Sequence, residues 1–161
     1  MKKETNQNNI VILHDIRSTE NVGAIFRTCD ATGIDMIYIT GYTPSPIDRF
    51  GRKRSDIAKA SLGAEESVAW EEKKSFNILL TKLKKENYKI IALEQDPRAL
   101  HYKKIKLGEK NVFIVGNEVL GINKKVLDKC DVIGEIPMKG KKESLNVSVS
   151  LGVFLYAVLK I

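Results

Sequence analysis

Three short stretches place polar groups where the surrounding pattern is apolar or rich in glycine. The first is Asn21-Val22-Gly23-Ala24-Ile25-Phe26-Arg27. Val22, Ile25, Phe26 and Cys29 follow the i, i+3, i+4, i+7 spacing of a core-facing helical stripe. Arg27 lies off that stripe, with Gly23 one turn before it and Ala24 and Ala31 beside it. That face is either the solvated side of an amphipathic helix or a place where a second chain or a ligand approaches closely. The second stretch, Val115-Gly116-Asn117-Glu118-Val119-Leu120-Gly121-Ile122, holds an amide and a carboxylate between two glycines. Glycines allow tight turns and close backbone approach, so this is either a plain turn with a solvent-facing acid or the wall of a ligand site. The third, Ser144-Leu145-Asn146, opens an almost wholly apolar run to Tyr156. Ser144 is positioned to N-cap that helix. Asn146, Ser148 and Ser150 enter a segment that reads as buried. Burying an unpaired amide or hydroxyl costs about 1–3 kcal/mol, so these groups need partners, in the core or on a ligand.

Other chemistries find little support. Cys29 and Cys130 are too few for a disulfide framework and lack metal-ligand spacing, and His14 and His101 are isolated, so no metal is expected. No glycine occurs in Asp15–Glu20, after the first predicted strand, and no P-loop occurs anywhere, which disfavours dinucleotide and ATP chemistry. The polar start Met1–Asn9 is unlike a signal peptide, and the last apolar run is broken by Asn146, Ser148, Ser150 and Gly152. A cytoplasmic chain without a membrane span is expected. The 27 basic against 20 acidic residues leave a net charge of +7, compatible with a polyanionic partner and salt-sensitive binding. The basic residues cluster: Arg49, Arg52, Lys53 and Arg54 in one predicted loop, and Lys139, Lys141 and Lys142 just before Ser144. Flanking the candidate motifs, they read better as a phosphate track than as solvated loops.

The elements that must position these residues follow from periodicity. At 161 residues, 43% of them hydrophobic, the chain is most simply one domain, residues 1–161. Strands are expected at Asn9–Asp15, Asp35–Thr40, Tyr88–Glu94, Asn111–Val115 and Val132–Ile136. Helices are expected from about Asn21 to Thr32, ending at Gly33, near Asp56–Leu62, Lys73–Glu86 and Asn123–Lys129, and over the C-terminal run. Gly41–Ser55 reads as a long loop, functional or mobile, and Gln95–Lys110 as an irregular crossover. This alternation predicts an α/β fold: a mostly parallel sheet with helices on both faces. Ligands collect beyond the carboxyl ends of the strands in such sheets, where the loops starting at Leu93, Gly116 and Ile136 lie.

Taken together and in order, the three stretches resemble the motifs of the SpoU branch of the SPOUT RNA methyltransferases, the TrmH-like ribose methylases. Lys59–Glu65 with Trp70 resembles that family as well, and the resemblance spans essentially the whole chain. It implies a C-terminal deep trefoil knot cradling S-adenosylmethionine, a homodimer, and methyl transfer to a ribose 2′-hydroxyl of tRNA or rRNA. Arg27 takes the position of the catalytic arginine, and Asn21 the first position of its motif, where it could also cap the helix. Glu118 matches a site-organising position, Ser144 and Asn146 match the Ser-Leu-Asn element that hydrogen-bonds near the methyl donor or the ribose, and Leu93, Gly116, Asn117, Gly121, Ile136, Met138 and Leu145 match the methyl-donor pocket. Many relatives carry an N-terminal RNA-binding domain, and no such extension is expected here, so RNA recognition would fall on the dimer surface and its basic loops. The rival readings are an RNA base methylase on the same fold and a non-catalytic RNA-binding or ribosome-assembly protein.

Overall fold

A computed structural model describes residues 8–161. It contains a seven-stranded parallel sheet in the order β3-β2-β1-β6-β4-β7-β5. The strands are β1 Asn8–His14, β2 Met36–Thr40, β3 Ala69–Lys73, β4 Lys89–Leu93, β5 Leu100–His101, β6 Lys110–Val115 and β7 Val132–Glu135. The helices are α1 Thr19–Thr32, α2 Ser55–Ser61, α3 Ala64–Ser67, α4 Phe76–Lys85, α5 Lys124–Leu127 and α6 Val147–Leu159.

The apolar runs of the central strands follow from burial on both faces, with side chains alternating. Val11, Leu13, Ile91, Phe113 and Val115 point to one side and pack with Val22, Ile25, Phe26 and Cys29 of α1 and Leu151, Phe154 and Leu155 of α6. Ile10, Ile12, Ile90, Val112 and Ile114 point to the other, against Leu79, Leu80 and Leu83 of α4 and Val126 and Leu127 of α5. The expected core stripe of α1 is therefore met in full. Gly134 of β7 lets α6 lie close, since a Cβ there would come within 2.9 Å of the Phe154 ring and 2.2 Å of Ile105 Cδ1.

Several expected boundaries shift, each for a local reason. α1 starts at Thr19, two residues before the expected Asn21, because Ser18 is its cap: Ser18 Oγ accepts from Asn21 N at 3.2 Å. Asn21 thus lies inside the first turn and caps nothing. The helix ends as expected at Gly33, in the left-handed region at φ 70°. Ser144 does not cap α6; Asn146 does, its Oδ1 accepting from Ser148 N at 2.9 Å and Val149 N at 3.4 Å. Asn146 is itself exposed, so the segment is not buried from its first polar residue onward. α4 begins at Phe76 rather than Lys73, because Lys73 completes β3 and Ser75 Oγ caps the helix through Ile78 N. β3 and α3 had no counterpart in the expected elements. The supposedly irregular 95–110 crossover carries β5 and a 3-10 turn at Tyr102–Lys104. β3, Ala-Trp-Glu-Glu-Lys, is a mostly exposed sheet edge whose charges discourage pairing with another chain. No described helix is long and apolar enough to cross a membrane.

Candidate functional site

Because all strands run parallel, the loops after β1, β2, β4, β6 and β7 leave one edge of the sheet, and the three polar stretches meet there. Glu118, in the loop after β6, accepts from Arg17 N, Ser18 N and Asn21 Nδ2, each at 3.0 Å. A carboxylate can only accept, so Asn21 must present its amide nitrogen to Glu118 and its oxygen elsewhere. That oxygen receives Asn146 Nδ2 at 3.0 Å. Asn146 in turn has only its oxygen left for the first turn of α6. Residues nearly a hundred and more than a hundred positions apart are thereby oriented in a single relay, Glu118–Asn21–Asn146. Burial resists ionisation of Glu118, but the Arg17 and Ser18 amides and the Asn21 side chain outweigh it and hold the carboxyl below its ordinary value.

Behind the relay lies a cleft of about 330 Å³. Leu93, Gly116, Asn117, Gly121, Ile136, Met138 and Leu145 all line it, as do Glu118, Ser144 and Asn146. The glycines of the 116–121 loop do more than permit a turn. A Cβ on Gly116 would sit 2.6 Å from Ile122 Cγ1, and one on Gly121 would sit 2.3 Å from Glu94 Oε2, at a φ of +65°. Asn117 closes the loop from within: its Oδ1 accepts from Val119 N and Leu120 N, and its Nδ2 donates to Asp15 O and Tyr42 Oη.

Arg27 does not enter this cleft. It is exposed on a separate groove between α1 and α6, with Ala24, Ala31, Ala60, Gly152, Val153 and Tyr156. Gly23 does not belong to that small-residue face, because α2 covers it: a Cβ there would meet Ile57 O at 2.5 Å and Ala60 Cβ at 2.6 Å.

The model of the SpoU rRNA Methylase family matches residues 8–156. The chain belongs to this family. An uncharacterized tRNA/rRNA methyltransferase of Mycoplasma genitalium is 33% identical over 150 residues, which is 92% of this chain and 59% of that protein. The chain thus spans about three fifths of the length of the curated relatives it matches. Among solved structures, an RNA 2′-O ribose methyltransferase superposes with a TM-score of 0.80 at 26% identity, over 94% of this chain and 55% of that one. An AdoMet-bound rRNA methyltransferase from Sinorhizobium meliloti shares the fold, with a TM-score of 0.83 at 21% identity over 95% of this chain and 56% of that one.

In this SpoU-family chain the cleft also holds residues that motif reading passed over, chiefly Glu94. Its Oε2 accepts from Ile122 N at 2.9 Å and its Oε1 from Gln95 N at 2.8 Å, so it ties the loop after β4 to the loop after β6. An acid directly after a buried strand was the available signal. Glu135 and Glu143 also line the cleft. The basic residues divide into two kinds. Arg52, Lys53 and Arg54 are engaged by Asp48, Glu66 and Asp56. Lys139, Lys141 and Lys142 are exposed and, among the described residues, make no ion pair.

Proposed function

We propose that this SpoU-family chain, as one domain over residues 1–161, binds S-adenosylmethionine and transfers its methyl group to a ribose 2′-hydroxyl of tRNA or rRNA, as a homodimer. The observation that carries this reading is the Glu118–Asn21–Asn146 relay at the mouth of the cleft. The donor carries a sulfonium and an ammonium against one carboxylate, so its net charge is positive. A cleft lined by apolar Leu93, Val115, Ile136 and Leu145 and by the acids Glu94, Glu118 and Glu135 suits it in chemistry and sign. Backbone groups of the loops at Gly116, Ile136 and Met138 would hold it, and S-adenosylmethionine when bound supplies an electrophilic methyl group. Ser144 and Asn146, at the rim, would hydrogen-bond near the donor or the ribose.

A ribose hydroxyl is a poor nucleophile until its proton is lost or shared, so the site must favour a developing alkoxide. Arg27 acts by its positive charge: it steadies the developing alkoxide and positions a neighbouring RNA phosphate, whose oxygen accepts the hydroxyl proton. Its place outside the cleft of its own subunit supports action on the donor held by a second copy. α6 leaves Val149 (50% exposed), Val153 (41%) and Tyr156 (44%) on one side beside Arg27, an apolar stripe suited to a second subunit. The insertion of β7 between β4 and β5 supports a knotted passage of the C-terminal segment. Lys139, Lys141 and Lys142 supply phosphate contacts beside the cleft.

The test is transfer of labelled methyl from S-adenosylmethionine to tRNA and rRNA of a strain lacking the gene, by wild type and by mixed variants. Arg27→Ala and Asn146→Ala homodimers should each be inactive. Their heterodimers should regain about half the activity of wild-type dimers, since one of two composite sites is intact. No transfer to any RNA by folded wild-type protein overturns the reading; full activity of Arg27→Ala overturns the role of that residue.

A further inference from the structure

The loop between β2 and α2 displays an aromatic ring for which neither the core nor the cleft has a use. Phe50 is 66% exposed. It is also held there. Asp48 Oδ1 accepts from Phe50 N at 2.8 Å and Arg52 N at 2.9 Å, and Asp48 Oδ2 accepts from Arg52 Nε at 2.9 Å. Asp48 N donates to Arg52 O, Gly51 N donates to Asp48 O with Gly51 at φ +79°, and Ile47 bridges Lys53 in antiparallel fashion. The Arg52 amide, against the cost of desolvation and with help from the Phe50 amide and the Arg52 side chain, holds the Asp48 carboxyl below its ordinary value. The tip is a closed turn built around one carboxylate, and Phe50 is what it displays.

The ring's neighbours say what it faces. The Arg49 guanidinium lies 4.7 Å from the ring centroid and that of Arg52 5.0 Å. Four cations and a single acid occupy residues 48–54. Arg52 is engaged by Asp48, whereas Arg49 makes no ion pair among the described residues. An apolar partner would not need the cations, and a duplex backbone would not need the ring. A flat ring backed by guanidinium planes matches a nucleobase, which stacks on either, with its phosphate on the free arginine. The loop's root is tied to the site: Tyr42 Oη accepts from Asn117 Nδ2 at 2.8 Å and Tyr42 N donates to Asp15 Oδ1 at 3.1 Å.

We infer that Phe50, with Arg49, is a stacking platform for an unpaired nucleotide of the RNA substrate, next to the one that enters the site. This rests on the RNA-methylating reading above and adds to it a preference for single-stranded or looped RNA.

The test compares binding of a labelled single-stranded RNA oligonucleotide, and of the same strand in a duplex, to full-length wild type, Phe50→Ala, Phe50→Leu and Phe50→Trp. Phe50→Ala should weaken single-strand binding about 5- to 150-fold, the ~1–3 kcal/mol of one stacked base. It should leave duplex binding within about twofold, and S-adenosylmethionine affinity and thermal unfolding unchanged. Phe50→Leu should bind as weakly as Phe50→Ala. Phe50→Trp, in a Trp70→Phe background, should keep its affinity and lose fluorescence when the single strand binds. Equal affinity of Phe50→Ala and wild type, equal losses on single strand and duplex, or rescue by leucine overturns the platform while leaving the RNA reading intact. Wild-type protein that binds neither RNA overturns both.

Discussion

Glu118 and Asn146 make no bond to each other, yet both hold Asn21, so their energies should be coupled. Glu118→Gln replaces an ionised acceptor of three hydrogen bonds by an amide with one accepting oxygen. Bonds to charged groups contribute about 1.5–3 kcal/mol net and neutral ones about 0.5–1.5. Arg17 is exposed, and water takes over its amide; the bonds from Ser18 and Asn21 each weaken by about 1 kcal/mol. Urea unfolding should therefore show a loss of about 2 kcal/mol. Asn146→Ala removes the cap of α6, about 1 kcal/mol, together with the bond to Asn21. In the double variant Asn21 is no longer oriented from either side, and the second substitution has less left to break. The double loss should fall short of the sum by about 1 kcal/mol, beyond the ~0.3–0.5 kcal/mol scatter of independent sites. The same cycle in an Asn21→Ala background should return no coupling. Additivity within ~0.3 kcal/mol in the wild-type background, or coupling that survives Asn21→Ala, refutes the relay.

Three other outcomes follow from single features. The folded Glu118 carboxyl lies below its ordinary 4.5, so its contribution is complete above pH 4.5 and is lost as pH falls below that; the melting temperature of Glu118→Gln, compared with wild type across that window, should fall less steeply. Gly23→Ala should destabilise by about 1–3 kcal/mol in urea, because the new Cβ strikes the α2 backbone at 2.5 Å, whereas Gly140→Ala, with nothing within 4 Å, should be neutral. Removing Lys139, Lys141 and Lys142 together should flatten the slope of log affinity against log salt for RNA by about one unit for each lysine that contacts a phosphate, while calorimetric S-adenosylmethionine binding persists.

How far the fold could be read from sequence depended on how local each cause was. The two-faced burial of β1, β4 and β6 wrote itself into the chain as runs of Ile, Val and Phe, and the stripe of α1 was as plain. β3 carried no such signal, because an exposed edge strand is selected for charge rather than alternation. β5 is two residues long and exists only because β7 offers it an edge. The cap of α6 was misplaced by two residues for a related reason. Ser144 and Asn146 are equally good caps in isolation, and Asn146 takes the role because Asn21, far away in sequence, fixes which end of its amide faces the helix. The residues around the cleft were legible through motif order, since Leu93, Ile136 and Leu145 look like ordinary core residues by composition. Glu94 stands outside the motifs, and its two amide partners are joined to it only by the fold.

The central claim concerns the atom that is methylated, and mass spectrometry of nuclease-digested RNA decides it. Unmodified tRNA and rRNA are incubated with S-adenosylmethionine and either wild type or Arg27→Ala, digested to nucleosides and fragmented across the glycosidic bond. The account predicts that wild type places the added methyl on the ribose fragment, with the base fragment unchanged, and that Arg27→Ala, shown by calorimetry to bind the donor, yields none. A methyl on the base fragment would contradict it.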